Sequence, residues 1–286
     1  MYKIESKNIL TPQNGLNIYR GRTEDCILLT EIPGGDSMDI GVKTDAADQL
    51  DSVLKSRRSK SIILMGNLGD PYNKYEEEYC LTRKCLKVIE NNDYGVVITT
   101  KQSRILRDLD ILTGIASKTK CAVEISIPTL DEKKLKKIEG EEVISIKERL
   151  ELIETLIGAG ISILIQLSPV IPFVNDYEVM EILETLAKYD ILGVDLADLR
   201  LAIKKSVRDF FYMEYKKRFP KEYKEFAEEY SGEPGELTPR DYKKLLKESQ
   251  EFCEERGIIS SSSRIKSWKR QYENKTEGEQ LSLELF

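Results

Sequence analysis

Residues 61–73 read SIILMGNLGDPYN. An unbroken apolar run of strand length, stopped by a glycine and followed by a polar loop, is the pattern of a strand buried on both faces. The pattern returns at VVITT (96–100), CAVEISI (121–127), ISILIQL (161–167) and LGVDL (192–196). NIY (17–19) is a short extended candidate ahead of them. Helices are expected between these runs, over 45–57, 76–91, 104–117, 131–138, 145–158 and 176–189. Thr44 can cap the first of them. Ser145 and Glu148 form a capping box that opens the fifth, and Gly158 and Gly160 close it. Alternation at this spacing builds βαβ units around a parallel sheet. About six such steps make either a doubly wound sheet or a partial barrel, and the pattern alone leaves both open.

Beyond residue 200 the alternation stops. Helices are expected over 203–218 and 221–230, separated by Phe219-Pro220. Thr238-Pro239 reads as a cap and first helical position of a helix running to Arg256 and ending at Gly257. The division drawn from this is 1–200 for the alternating part and 201–286 for a helical extension packed on it.

Composition narrows the chemistry. The chain has 286 residues, 40% hydrophobic and 33% charged, with a net charge of −6. That balance supports a globular core. The apolar stretch 161–173 is interrupted by Gln166, Ser168, Pro169 and Pro172 and is too short to span a bilayer. The start MYKIESKNIL lacks a basic segment followed by an apolar run, so no membrane partner and a cytoplasmic location are expected. The five cysteines are scattered, with no CxxC pair, which argues against a disulfide framework and a structural zinc site. There is no histidine. The commonest general base and metal ligand is therefore missing, and hydrolase triads and His-ligated metal chemistry drop out.

The segments at the strand ends, taken in order, carry a resemblance. NIYRG (17–21), GDPYN (69–73), TTK (99–101) with RDLD (107–110), SIPT (126–129) and the proline-rich 169–172 resemble the spore photoproduct lyase-like branch of the radical S-adenosylmethionine (SAM) superfamily, also called DNA repair photolyase-like proteins. The resemblance implies an open (β/α)6 TIM-like barrel with a C-terminal helical extension, and function in the loops after the strands. It also implies a four-iron, four-sulfur cluster held by a CxxxCxxC loop, with SAM on the open iron. Here the three cysteine positions fall on Arg22, Cys26 and Leu29. Arginine is a fixed cation and leucine has no donor atom, so Cys26 is the sole ligand position kept. Asp70, Lys101 and Ser126 match polar positions that approach SAM in the family. Read only as residues, Asp70 caps a turn before Pro71 and Lys101 is a solvated loop lysine.

Residues 198–224 are rich in Lys and Arg with Tyr and Phe interleaved, and residues 260–275 add Lys266, Lys269 and Arg270 beside Trp268. Such a face suits phosphate contact and base stacking, or is an ordinary charged helix packed by its aromatics. Three functions follow. The first is a cluster-less, SAM- or nucleotide-binding pseudoenzyme. The second is an active SAM-dependent iron–sulfur lyase acting on DNA. The third is a non-catalytic nucleic-acid-binding module.

Overall fold

The computed structural model describes residues 2–3, 8–20, 26–28, 40–66, 69–230 and 232–276. Six strands form one parallel sheet: β1 (Gly15–Leu16), β2 (Ile62–Met65), β3 (Gly95–Thr99), β4 (Cys121–Ser126), β5 (Ser162–Gln166) and β6 (Gly193–Asp195). Each pairs in parallel with the next in sequence. A doubly wound sheet reverses its strand order at a switch point. This one never does, so that alternative falls.

The helices are α1 (Ala46–Ser56), α2 (Leu81–Asn91), α3 (Leu109–Lys118), α4 (Glu132–Glu139), α5 (Ile146–Gly158) and α6 (Val179–Leu186). Alternate strand residues such as Ile63, Val96, Val123, Ile163 and Val194 bury against Leu50, Leu86, Leu112, Ile153 and Leu183 of these helices. Strand periodicity of two thus meets helical stripes, which gives one main core. The Ser145–Glu148 capping box forms as expected, with both reciprocal bonds present.

The later part adds α7 (Arg208–Arg218), α8 (Pro220–Glu229), α9 (Tyr242–Glu255) and α10 (Ser262–Arg270). An aromatic cluster of Phe211, Tyr212, Tyr215, Phe219 and Phe226 joins α7 and α8 and packs on Ile171 and Phe173. Ile259 lies beside Gly193 of β6, and α10 follows it onto the sheet's second face, where Trp268 and Tyr272 cover Ile62, Val97 and Ala122. Among the described residues, no helix is long and apolar enough to cross a membrane.

Several expected elements move. The first strand of the sheet is Gly15–Leu16, not residues 17–19. Tyr19–Arg20 instead pairs antiparallel with Gly41–Val42 in a separate small sheet. The helix expected over 76–91 breaks at Cys80, whose φ of 50° is left-handed. The helix expected from Pro239 begins at Tyr242. Leu237, just before the expected cap, is tied to Leu201 in a strand pair, and Asp241 takes a φ of 53°.

Candidate functional site at the strand ends

The sheet's C-terminal edge is assembled around one glycine. Gly66 ends β2 with φ +96°, and a Cβ there would lie 2.1 Å from the Thr99 carbonyl oxygen. Only a residue without a side chain lets the ends of β2 and β3 approach this closely. The loop that follows brings in Asp70. Its Oδ1 accepts from the Tyr72 amide at 2.8 Å and the Thr100 hydroxyl at 2.8 Å, and its Oδ2 accepts from the Lys101 amide at 2.8 Å. Asp70 therefore caps its own turn and also latches the next loop to it.

Two buried carboxylates support this loop from behind. Glu76 is fully buried and accepts from the Tyr19 hydroxyl, from the Thr82 amide at 3.0 Å and from Arg107 Nη2 at 2.7 Å. Asp108, also fully buried, accepts from the Tyr72 hydroxyl at 3.1 Å and pairs with Arg107 Nε at 2.8 Å and Arg83 Nη1 at 3.0 Å. Burial, then the neighbouring carboxylate, pushes both phenols up, so Tyr19 and Tyr72 stay protonated donors. The segments NIYRG, GDPYN, TTK and RDLD are in this way parts of one hydrogen-bonded frame.

Within that frame Lys101 points to a second network. Its Nζ lies 3.1 Å from Glu139 Oε1 at the end of α4. Glu139 is fully buried and also pairs with Arg149 of α5, equally buried. Arg149 Nη1 donates to the Ser126 carbonyl at 2.7 Å. The Ser126 hydroxyl donates to the Ser168 carbonyl at 3.0 Å, with Glu139 Oε1 at 3.4 Å. Burial alone would raise the Glu139 carboxyl. The cations of Lys101 and Arg149 outweigh it and hold it below the usual range. Asp70, Lys101 and Ser126 thus sit at the ends of β2, β3 and β4 in one connected network.

At the far end of the edge, Asp198 follows β6, and its Oδ2 accepts from the Leu167 amide at 3.0 Å. Burial, then the Asp195 carboxylate, pushes it up to about 7. Nothing in the sequence reading singled out Asp198, Glu139 or Arg149. For the last two a signal existed. Leu135, Ile138 and Glu139 share one helical stripe, and Arg149 shares another with Leu152, Ile153 and Leu156. A charge in an apolar stripe must find a partner there.

Of the segment that the resemblance reads as a cluster loop, residues 26–28 are described, and they come close to this network. The Ile27 amide donates to the Ile138 carbonyl at 2.8 Å, which seats residues 26–28 on the end of α4, with Cys26 buried. Arg22 and Leu29 lie outside the described residues. The donor set does not fit a four-iron cluster. The cysteine positions offer one thiol, and neither arginine nor leucine ligates iron. Cys121 begins β4, at the opposite end of that strand from Ser126, and burial pushes its thiol up to about 12. Cys85 is buried in the main core and is likewise pushed up by burial. Among the described residues, no group of three or more His, Cys, Asp or Glu side chains is placed to hold a metal ion.

On the sheet's second face one expected cation is accounted for. Lys269 pairs with the buried Glu124, which also accepts from the Thr99 hydroxyl at 2.9 Å. Lys120 Nζ donates to the Trp268 and Gln271 carbonyls at 2.9 and 2.8 Å. Of the three basic residues read as one nucleic-acid face, Lys266 and Arg270 are exposed and line a shallow concavity with Ser263, Ser267 and Gln271. Lys269 is turned inward and does not belong with them, because a buried carboxylate requires a cation.

No protein-family model matches the chain. It is 25% identical over 247 residues to the uncharacterised protein Rv2578c of Mycobacterium tuberculosis, covering 82% of this chain and 71% of that one. It is 30% identical over 131 residues to the uncharacterised protein MJ0683 of Methanocaldococcus jannaschii, covering 46% of this chain. That match spans 49% of the archaeal relative, so about half its length has a counterpart here. Among solved structures, a cysteine mutant of spore photoproduct lyase with dinucleoside spore photoproduct superimposes with a TM-score of 0.65 at 16% identity, covering 91% of this chain and 80% of that one. A double mutant of spore photoproduct lyase with bound AdoMet and dinucleoside spore photoproduct gives 0.63 at 18% identity, covering 91% and 80%. Likeness at this identity establishes the fold.

Proposed function

We propose that this chain, which shares the fold of spore photoproduct lyase, is a radical SAM-type protein that binds SAM or a related nucleotide at the strand ends of an open barrel and carries no iron–sulfur cluster. The observation that carries the reading is the connected network of Asp70, Lys101 and Ser126 at three successive strand ends, beside a loop with one cysteine of three. The never-reversing strand order and the AdoMet named with a solved neighbour support it.

In this reading the Lys101 ammonium meets the carboxylate of the methionine moiety, since a point cation with several donors suits that group. Ser126, whose hydroxyl is given to the Ser168 carbonyl, braces the next strand end. Asp70 fixes the backbone from which Lys101 projects. No radical step is assigned, because the cysteine positions cannot hold the cluster that such a step needs.

Two measurements test the reading. Calorimetric titration with SAM is expected to show saturable one-to-one binding that Lys101→Met weakens; absence of binding rejects the site. Anaerobic reconstitution with iron and sulfide is expected to leave far less than one four-iron cluster per chain. A stoichiometric cluster, with release of 5′-deoxyadenosine on reduction with SAM, would favour the active lyase instead. A second reading, nucleic-acid contact through α10, is favoured by the exposure of Lys266 and Arg270 beside Trp268.

A further inference from the structure

Glu139 and Arg149 are costly residues to bury. Each side chain has 0% exposure, and taking two charges out of water is repaid only by good geometry and further hydrogen bonds. Joining α4 to α5 does not require them, since apolar side chains of similar volume pack helices at no such cost. What the pair touches is informative. It reaches the Lys101 ammonium at 3.1 Å, the Ser126 hydroxyl at 3.4 Å and the Ser126 carbonyl at 2.7 Å. Every one of these atoms belongs to the ends of β3 and β4.

We propose that Glu139 and Arg149 are the positioning pair of this site, holding the Lys101 ammonium at a fixed place beside the end of β4 so that a ligand carboxylate meets it. The inference rests on the SAM-site reading above and extends it to two residues on helices. A lysine side chain is flexible and loses rotamer freedom when it binds. Glu139 imposes that order beforehand, so the ligand is spared the cost. An ammonium has three N–H donors, so the bond to Glu139 leaves Lys101 able to donate elsewhere. Arg149 in turn keeps Glu139 ionised and clamps the Ser126 backbone. Both act through other residues and neither touches the ligand.

The experiment is a two-ligand titration on the full chain. SAM and its decarboxylated analogue are titrated into the unaltered protein, Glu139→Gln and Lys101→Met, with circular dichroism and thermal melts as controls for folding. The expected result is about tenfold weaker SAM binding in both variants, about 1.4 kcal/mol, with binding of the decarboxylated analogue changed by less than about twofold. A residue that only supports the fold would weaken both ligands together, leave their affinity ratio unchanged and overturn the inference. SAM affinity unaltered by Glu139→Gln would overturn it too, while leaving the SAM site standing. If the unaltered protein binds no SAM, the site reading fails and this inference fails with it. Should Glu139→Gln not fold, Glu139→Asp keeps the charge, shortens the reach by one methylene and carries the same comparison of ratios.

Discussion

Asp198→Asn should stabilise the protein, and by an amount that grows with pH. The carboxyl of Asp198 is displaced from an ordinary 3.8 to about 7, first by burial and then by the nearby Asp195 and Glu124 carboxylates. The backbone amides of Leu167 and Ser168 oppose the shift without cancelling it. The folded protein therefore holds a proton that the unfolded chain releases. Between pH 3.8 and about 7 the folded state binds more protons than the unfolded one, so stability falls as pH rises through that window and levels off above it. The displacement corresponds to about 4 kcal/mol at the upper plateau. Water entry and relaxation around a half-buried carboxyl reduce this to about 2–4 kcal/mol.

Asparagine keeps the size and the carbonyl that accepts from the Leu167 amide, and it removes the titration. The difference in unfolding free energy between variant and parent should be small near pH 4, climb by about 1 kcal/mol per pH unit, and flatten above pH 7. Urea unfolding followed by Trp268 fluorescence at several pH values measures it. Carboxylates that do not face Asp198 titrate alike in both proteins and cancel. A difference that stays flat from pH 4.5 to 8 would refute the reasoning, because a group charged throughout, or buried at no cost, has no slope to give.

Two further outcomes follow from particular contacts. Gly66→Ala should cost about 3 kcal/mol or more, since it adds a methyl against the Thr99 carbonyl to a strained φ; Gly160→Ala, with φ +76° and nothing within 4 Å, should cost about 1 kcal/mol in the same thermal melts. If the chain binds single-stranded DNA, neutralising Lys266 and Arg270 should lower the salt slope of binding by about two, whereas Lys269→Met should leave it unchanged, as electrophoretic or fluorescence titration over a salt series would show.

The parallel strands were legible because a strand buried on both faces must be apolar throughout, so SIILM and CAVEI announce themselves without alternation. Their order was not, since pairing between β2 and its neighbours is decided through space. The slip at the first strand has a local cause. Residues 17–19 have strand composition, and Tyr19 does enter a strand, but one paired with Gly41–Val42 outside the main sheet, with its hydroxyl on the buried Glu76. Cys80 broke a helix that periodicity joined, because a left-handed cysteine, unlike a left-handed asparagine or aspartate, leaves no mark in the sequence. The helix at 262–270 was open in the sequence only as one of two readings of a basic segment. Only Ile265 and Trp268 are apolar in it, and its anchoring comes from Lys120 and Glu124, which lie far away in the chain.

The strand-end site divides along the same line. Asp70, Lys101 and Ser126 lie at or shortly after the ends of apolar strands, in the segments whose resemblance singled them out. Glu139 and Arg149 lie inside helices and look like faults in an apolar stripe. Their meaning appears only when α4 and α5 are folded against the ends of β3 and β4. Residues 26–28 are fastened to Ile138, the residue next to Glu139, whose carboxylate pairs with Lys101. Were the pair to position nothing, no gain would offset the desolvation of two buried charges. Apolar replacements would pack as well, with no desolvation to offset. The buried pair is therefore an argument for the proposed ligand site at the strand ends, whatever the loop at Cys26 holds.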